Sequence, residues 1–179
     1  MTDPDTARRF ETLVLPHMNS AFNVARWLTH NDQDAQDVEQ EAYLRAFRFF
    51  GGFRGEDARA WLLSIVRNTF YTWHQQNRGH AADTTEFEED THSLETSTAN
   101  CAESPEAMLI RNQSQQRVHK ALRCLRLEYR EVIVLRELEE LSYKEIADIV
   151  GIPMGTVMSR LGRGRQQLAA LLAPTDQEA

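Results

Sequence analysis

The chain has 179 residues, with 27 Asp and Glu against 20 Lys and Arg, so its formal net charge at pH 7 is −7. This length suits one larger domain or two small ones, and no apolar run approaches the ~18 residues of a membrane span. Cys101 and Cys124 form no CxxC pair and accompany no Cys/His cluster, so we expect neither a metal site nor a cofactor. Because no apolar signal core follows the first residues, we expect a cytoplasmic protein without membrane insertion.

The acidic charge is concentrated in the middle of the chain. Residues 79–115 carry eight Asp and Glu but one Arg, whereas the segments on either side are nearly neutral. The negative net charge of the chain therefore does not exclude a nucleic-acid partner, because local positive charge can bind it. Residues 79–106 have only two large apolar side chains, too few to offset the entropy of ordering. We predict a flexible acidic linker, 79–112, between an N-terminal module, 1–78, and a C-terminal module, 113–179.

Helical periodicity runs through the N-terminal module. Apolar residues at mixed spacings of three and four predict a helix over 6–29. A second predicted helix, 34–50, opens with acidic residues that suit a helix N-terminus and ends at a glycine-rich segment, 51–55. A third helix is predicted over 57–78. Its inward stripe is Trp61, Leu62, Ile65, Val66, Thr69, Phe70 and Trp73.

A second stripe on the third helix is cationic and aromatic. Arg67, Tyr71, His74 and Arg78 follow one another at spacings of four, three and four, and Asn68 flanks them. Cations bind phosphates and aromatic rings stack on bases, so the stripe suits single-stranded nucleic acid. An ordinary solvated helix face is the alternative, and the stripe alone leaves it open.

The C-terminal module is also predicted to be helical. Helices over 113–125 and 128–138 have inward faces that include Val118 on the first and Leu138 on the second. After them comes LSYKEIADIVGIPMGTVMSRLGRGR, residues 141–165.

This stretch predicts a helix-turn-helix. Ser142 and Glu145 form an S-x-x-E capping box at the start of one helix. Gly151 suits its left-handed end, and Pro153 suits the first turn of the next. From Gly151 to Leu172 the chain has three arginines and no acidic residue.

The second helix of this motif is a candidate for reading duplex DNA. In a helix-turn-helix it enters the major groove, where Arg, Thr and Ser contact bases or phosphates. A helical hairpin that only packs is the alternative. Gly162 and Gly164 each cost up to about 1 kcal/mol in helix propensity, so we expect a frayed end carrying Arg163 and Arg165. The candidate residues outside the apolar stripe are Met154, Thr156, Ser159, Arg160 and Arg163.

Two segments of the chain resemble extracytoplasmic-function (ECF, group IV) sigma factors. DAQDVEQEAYLRAFRFFGGFRG, followed by WLLSIVRNTF, looks like sigma region 2, and YREVIVLRELEELSYKEIADIVGIPMGTVMSRLGRGRQQL looks like region 4. The helix-turn-helix alone would not be specific, because response regulators carry similar ones, but both segments in this order are. The resemblance covers about residues 8–78 and 113–172. It implies an all-α protein of two small helical domains, without catalytic activity, that directs RNA polymerase to promoters.

The resemblance also implies partners. The helix over 34–50 would dock on the β′ clamp helices of core RNA polymerase, and the helix pair over 113–138 would meet the β flap. The loop 51–58 and the following helix would bind the −10 element of promoter DNA, and residues 153–165 would read the −35 element. An anti-sigma factor would hold the protein inactive and could keep it at the membrane. The implied polymerase contacts are Asp37, Glu41, Arg45 and Arg48, and the −10 contacts are Arg54, Arg67, Asn68, Tyr71, His74 and Arg78.

Two other functions are alternatives to this one. A stand-alone helix-turn-helix regulator would need a receiver or ligand-binding domain, and residues 1–78 lack the βα alternation of a receiver. A helical enzyme that uses Asp34, Asp37 and Glu41 as metal ligands is the second alternative, but a carboxylate di-metal bundle also needs Glu-x-x-His motifs on its helices, and the predicted helices carry none.

Overall fold

In the computed structural model the described residues are 4–77 and 105–173, the side chains of 105–111 excepted. They form eight α-helices and no strand, so the predicted all-α fold class is confirmed. Arg78 and the predicted linker residues 79–104 lie outside the described residues. The helices are α1 (Pro4–Leu13), α2 (Met18–Thr29), α3 (Asp32–Phe49), α4 (Ala58–Asn77), α5 (Pro105–Cys124), α6 (Leu127–Ile133), α7 (Tyr143–Val150) and α8 (Met154–Leu172).

Pro16 divides the first predicted helix in two. The periodicity predicted one helix over 6–29, but α1 ends at Leu13 and α2 begins at Met18, with a 3-10 turn at Leu15–His17 between them. A proline inside an α-helix lacks the N–H that would bond the carbonyl four residues back, and its ring clashes there. The prediction of one helix was wrong because apolar spacing continues across a turn that the backbone cannot pass as a helix.

The N-terminal module packs around an aromatic cluster. The ring of Phe10 meets those of Tyr43, Phe47 and Phe50 edge-on, with centroids 5.2–5.4 Å apart, a favoured geometry for aromatic pairs. Helices α2, α3 and α4 pack against one another. The predicted inward stripe of α4 is confirmed, and Leu63, which was not predicted, is fully buried beside it. Leu62, Val66, Thr69 and Phe70 are buried, and Trp61, Ile65 and Trp73 are partly buried.

The C-terminal module differs from expectation at its edges. Its first helix, α5, begins at Pro105, inside the range predicted as linker. A π-helical turn, Val134–Leu138, follows α6. The predictions that Val118 and Leu138 face inward were wrong, since these residues are 39% and 47% exposed. A helical stripe shows which residues share a face, but burial also requires a neighbouring element to cover that face, and these two positions lie beyond such cover.

The helix-turn-helix forms as its local signals predicted. The Ser142 backbone N–H donates to Glu145 Oε2 at 2.6 Å, and the Glu145 N–H donates to Ser142 Oγ at 3.2 Å, which completes the capping box. Gly151 ends α7 in the left-handed region, with φ of 73°. Pro153 is the N-cap of α8 and not a residue of its first turn.

The prediction that the end of α8 frays was wrong, because the helix continues without a break through Gly162 and Gly164. Gly164 is buried, and a Cβ built on it would lie 3.1 Å from Ile133 Cγ1 and 3.3 Å from Tyr129 Cβ. The missing side chain thus lets α8 approach α6 closely. This packing outweighs the propensity cost, which applies to an average helix position.

The two modules pack against each other, α4 on α7 and α2 on α6. Arg59 bonds both the carboxylate and the backbone carbonyl of Glu139, whose side chain is 5% exposed. Arg130 donates to the Leu28 carbonyl at 3.4 Å. The buried carboxylate and guanidinium show that this boundary excludes water.

Candidate nucleic-acid interface

The described part of the α4 stripe, Arg67, Asn68, Tyr71 and His74, is here called the α4 surface. The inward stripe of α4 packs on α2 and α3. The α4 surface lies beside that stripe on the helix, so it is at the edge of the N-terminal module. Asn68 is exposed, and the His74 ring stacks on Phe70 with centroids 5.5 Å apart. The guanidinium of Arg67 lies 4.5 Å from the centroid of the Tyr71 ring, within cation–π range.

Both polar groups of this pair bind one carboxylate on α6. Arg67 Nε donates to Glu131 Oε2 at 2.9 Å, and the Tyr71 hydroxyl donates to the same oxygen at 3.0 Å. The Glu131 side chain is only 2% exposed. Burial, followed by the nearby Glu131 carboxylate, raises the pKa of Tyr71 to about 12, so the hydroxyl keeps its proton and remains a donor at neutral pH.

The residues proposed to read duplex DNA form the α8 surface: Met154, Thr156, Ser159, Arg160 and Arg163. The buried Val157 and Leu161 fix which side of α8 faces inward. Met154, Ser159 and Arg163 are therefore exposed, while Thr156 and Arg160 are half-buried. The Ser159 hydroxyl donates to the Thr156 carbonyl at 3.0 Å. Arg163 forms no ion pair within the part of the chain that the structure describes.

Arg160 brings the α8 surface to the same carboxylate. Its Nη1 lies 3.6 Å from Glu131 Oε1, and its Nη2 lies 3.9 Å from Glu128 Oε2. Arg67 and Arg160, predicted to bind different DNA elements, thus meet at a single buried glutamate.

Arg165 has a different partner. It donates to Glu137 Oε1 through Nε at 2.9 Å and Nη2 at 2.6 Å. This hydrogen-bonded pair raises the pKa of Arg165. Since both residues belong to the C-terminal module, the pair braces α8 on the turn that follows α6.

The outward face of α3 carries the four predicted polymerase contacts. Asn31 caps the helix by accepting from the Gln33 and Asp34 N–H groups at 2.8 and 3.1 Å. Asp37, Glu41 and Arg48 are exposed, and Arg45 Nε donates to Glu41 Oε1 at 2.8 Å.

Two apolar side chains on that face were missed. Leu44 is 58% exposed and Phe49 is 61% exposed. Their positions outside the inward stripe could have identified them from the sequence. Arg54, in the loop between α3 and α4, is exposed and has no ion-pair partner among the described residues.

Glu131 was also missed. It lies in a run of buried residues, Tyr129–Leu135, and a buried carboxylate requires partners of opposite charge or hydrogen-bond donors. The sequence indicated that a glutamate among these apolar residues needs such partners, but it did not indicate which residues they are. Within the described ranges, no helix is long and apolar enough to span a membrane.

Two family models match the chain, Sigma-70 region 2 over residues 13–80 and Sigma-70, region 4 over residues 115–168. The RNA polymerase sigma-H factor of Pseudomonas aeruginosa is 36% identical over 180 residues, which cover 96% of this chain and 90% of that protein. The ECF RNA polymerase sigma-E factor of Escherichia coli K12 is 32% identical over 171 residues, which cover 93% and 88%. The sigma factor RpoE from Bartonella quintana, solved in complex with the anti-sigma factor NepR, matches with a TM-score of 0.73 and 26% identity over 92% of this chain and 97% of that one.

Proposed function

The chain belongs to the sigma-70 family of RNA polymerase sigma factors, in the extracytoplasmic-function group, and from this premise we propose how its modules divide promoter recognition. As a sigma factor it binds core RNA polymerase and directs transcription initiation at promoters through −10 and −35 elements. We assign the −10 element to the N-terminal module, 1–78, and the −35 element to the C-terminal module, 113–179. The order of the two matched regions supports this assignment.

The α8 surface reads the −35 element as duplex DNA. The helix follows a capped first helix and a left-handed glycine turn, and its N-terminal half exposes Met154, Ser159 and Arg163 to solvent. Arginine bonds guanine through two acceptors, serine bonds bases or phosphates, and an apolar side chain contacts the thymine methyl group. No Asp or Glu of α8 opposes the approach of phosphates.

The α4 surface binds the −10 element as a separated strand, together with Arg54 and Arg78. Arg67 supplies charge for a phosphate, and the rings of Tyr71 and His74 supply faces for stacking on bases. Asn68 adds an exposed amide that can bond a base edge.

The outward face of α3 docks on the β′ clamp helices of the polymerase. Leu44 provides an exposed apolar centre, and the charged residues Asp37, Glu41, Arg45 and Arg48 surround it. An apolar centre within a polar rim is the usual organisation of a protein–protein contact. The α5–α6 pair meets the β flap.

Control of this protein follows the pattern of the structural relative. The RpoE structure contains an anti-sigma factor, and we infer that an anti-sigma factor restrains this chain too, in the cytoplasm or at the membrane. Members of the family are transcription initiation factors, and this chain has no catalytic activity of its own.

The observation that carries the proposal is the coexistence of an acid-free exposed recognition helix with a region 2 module on the same chain. The test is run-off transcription with purified chain, bacterial core polymerase and a genomic library, with starts mapped by sequencing. We expect discrete starts that share one −35 and −10 pair. Arg48→Glu on α3 should abolish co-elution with core polymerase, while Arg8→Glu on the exposed side of α1 should not.

Absence of starts, with no co-elution of the unaltered chain, would sink the proposal. Tight and specific binding to a bare promoter duplex without polymerase would favour the stand-alone regulator instead.

A further inference from the structure

One buried carboxylate collects groups from both proposed DNA-binding surfaces. Glu131, on α6, accepts from Arg67 at 2.9 Å and Tyr71 at 3.0 Å on one module, and Arg160 lies 3.6 Å away on the other. The side chains of Arg67 and Arg160 are only 18% and 24% exposed. The residues meant to face DNA thus face each other across this glutamate.

The hydrogen bonds of Arg67 and Tyr71 to Glu131 use the same atoms that nucleic acid would need. A guanidinium fork that bonds a carboxylate cannot bond a phosphate with the same N–H groups. The Tyr71 hydroxyl is engaged, and one face of its ring is covered by Arg67. Stacking of a base on that face requires Arg67 to leave.

The geometry also excludes simultaneous reading of two promoter elements. Elements read together lie more than one duplex turn, about 34 Å, apart. Arg67 and Arg160 approach a single carboxylate within 2.9 and 3.6 Å. In this arrangement the α4 and α8 surfaces cannot lie one duplex turn apart, so the modules must separate before both elements are bound.

Other contacts between the modules leave the proposed DNA-binding residues free. Arg59 pairs with Glu139, Arg130 bonds the Leu28 carbonyl, and Arg123 bonds the His30 carbonyl. They seat one module on the other without occupying either surface. Among the hydrogen bonds and ion pairs that join the described parts of the two modules, those of Glu131 alone use residues of the α4 surface.

We propose that Glu131 is an intramolecular latch that closes the free chain by holding Arg67 and Tyr71 of the α4 surface beside Arg160 of the α8 surface until polymerase and promoter separate the modules. This inference rests on the proposed function of the two surfaces. The apparent affinity of a closed chain for DNA is its intrinsic affinity reduced by the fraction that is open. Removal of the negative charge leaves Arg67 and Arg160 close together without compensation, which favours opening.

The test compares the full-length chain with Glu131→Gln, and uses Glu137→Gln as the matched control because that glutamate pairs with Arg165 inside the C-terminal module. Small-angle X-ray scattering measures opening without DNA. Fluorescence anisotropy measures binding to a duplex that carries the −35 element mapped by run-off sequencing. We expect Glu131→Gln to have a larger radius of gyration and to bind the duplex about tenfold more tightly, the scale of one charge-assisted hydrogen bond. Glu137→Gln should leave the radius of gyration unchanged, which separates opening of the chain from the release of one arginine on α8.

An unchanged radius of gyration and an unchanged affinity in Glu131→Gln would overturn the latch. If the unaltered chain still gave promoter-specific run-off, the sigma function would stand and the latch alone would fail. If no run-off appeared, the proposed function would fail, and the scattering result would still decide whether Glu131 closes the chain. Should Glu131→Gln lose helical circular dichroism, Glu131→Asp would replace it, since the shorter carboxylate cannot reach all three partners.

Discussion

Two glycines of α8, two residues apart, should respond in opposite ways to the same substitution. Gly162 is exposed, and a Cβ there would meet nothing within 4 Å, so Gly162→Ala should stabilise the chain by about 1 kcal/mol through helix propensity. Gly164→Ala gains the same propensity, but its Cβ would lie 3.1 Å from the buried Ile133 side chain and 3.3 Å from Tyr129 Cβ, which is fixed to the backbone. Overpacking of this kind costs about 1–3 kcal/mol.

The net effect of Gly164→Ala is therefore a loss of about 1 kcal/mol, and the two variants should differ by about 2 kcal/mol. Urea denaturation of the full chain, followed by far-UV circular dichroism, measures both. Opposite shifts of the midpoint at equal slope would support the close approach of α8 to α6. Equal stabilisation by both substitutions would refute it, because Gly164 would then have open space around it.

Arg160→Ala should relax the preference at one −35 base position by about 1–3 kcal/mol, as measured by competition among duplexes with single substitutions. Its counterpart Tyr71→Ala should slow open-complex formation without weakening duplex −35 binding, because strand capture belongs to the other module. A separate prediction concerns pH. Burial, and then the charges of Arg130 and Arg123, lower the pKa of His30 to about 3. The unfolded chain, with a histidine pKa near 6.5, binds this proton first, so stability falls as pH drops below about 6.5. His30→Asn should reduce that fall, and the melting temperatures of both chains at about pH 7.5 and about pH 5.5 measure it.

Each of these predictions has an outcome that contradicts it. An unchanged base preference in Arg160→Ala would remove that residue from the −35 contacts. Equal losses in strand opening and duplex binding for Tyr71→Ala would indicate a damaged fold. Asparagine tolerates the left-handed backbone at position 30, where φ is 61°, so an equal drop in melting temperature for both chains would mean that His30 does not titrate as described.

The proposed latch explains why a charged group is buried at the boundary between the two modules. A carboxylate that is 2% exposed is costly to bury unless its partners compensate it. Two guanidinium groups and a hydroxyl do so here, and two of these partners come from the opposite module. Separation of the modules therefore exposes charged groups that need new partners, and the phosphates of promoter DNA are such partners for Arg67.

Much of the fold was predictable because its signals are local. Ser142 and Glu145 are three residues apart and cap one turn, and Gly151 ends the same helix. The apolar stripe of α4 likewise predicted which face of that helix is buried. The predictions failed where one particular residue or contact overrode the average tendency of the surrounding sequence. Pro16 stops a helix that the spacing continued, and Gly164 strengthens packing at a position where propensity alone indicated fraying.

The amino-acid sequence by itself determined the all-α class, helices α3 and α4 to within a few residues, the helix-turn-helix, the sigma-factor family, and which residue types were available for DNA. Only the tertiary structure decided that Arg67, Tyr71 and Arg160 share Glu131. Arg67 and Glu131 are 64 positions apart in the chain, and no periodicity relates residues on separate modules. Helices and caps depend on contacts three or four residues apart, whereas this pairing depends on how one folded module packs on the other.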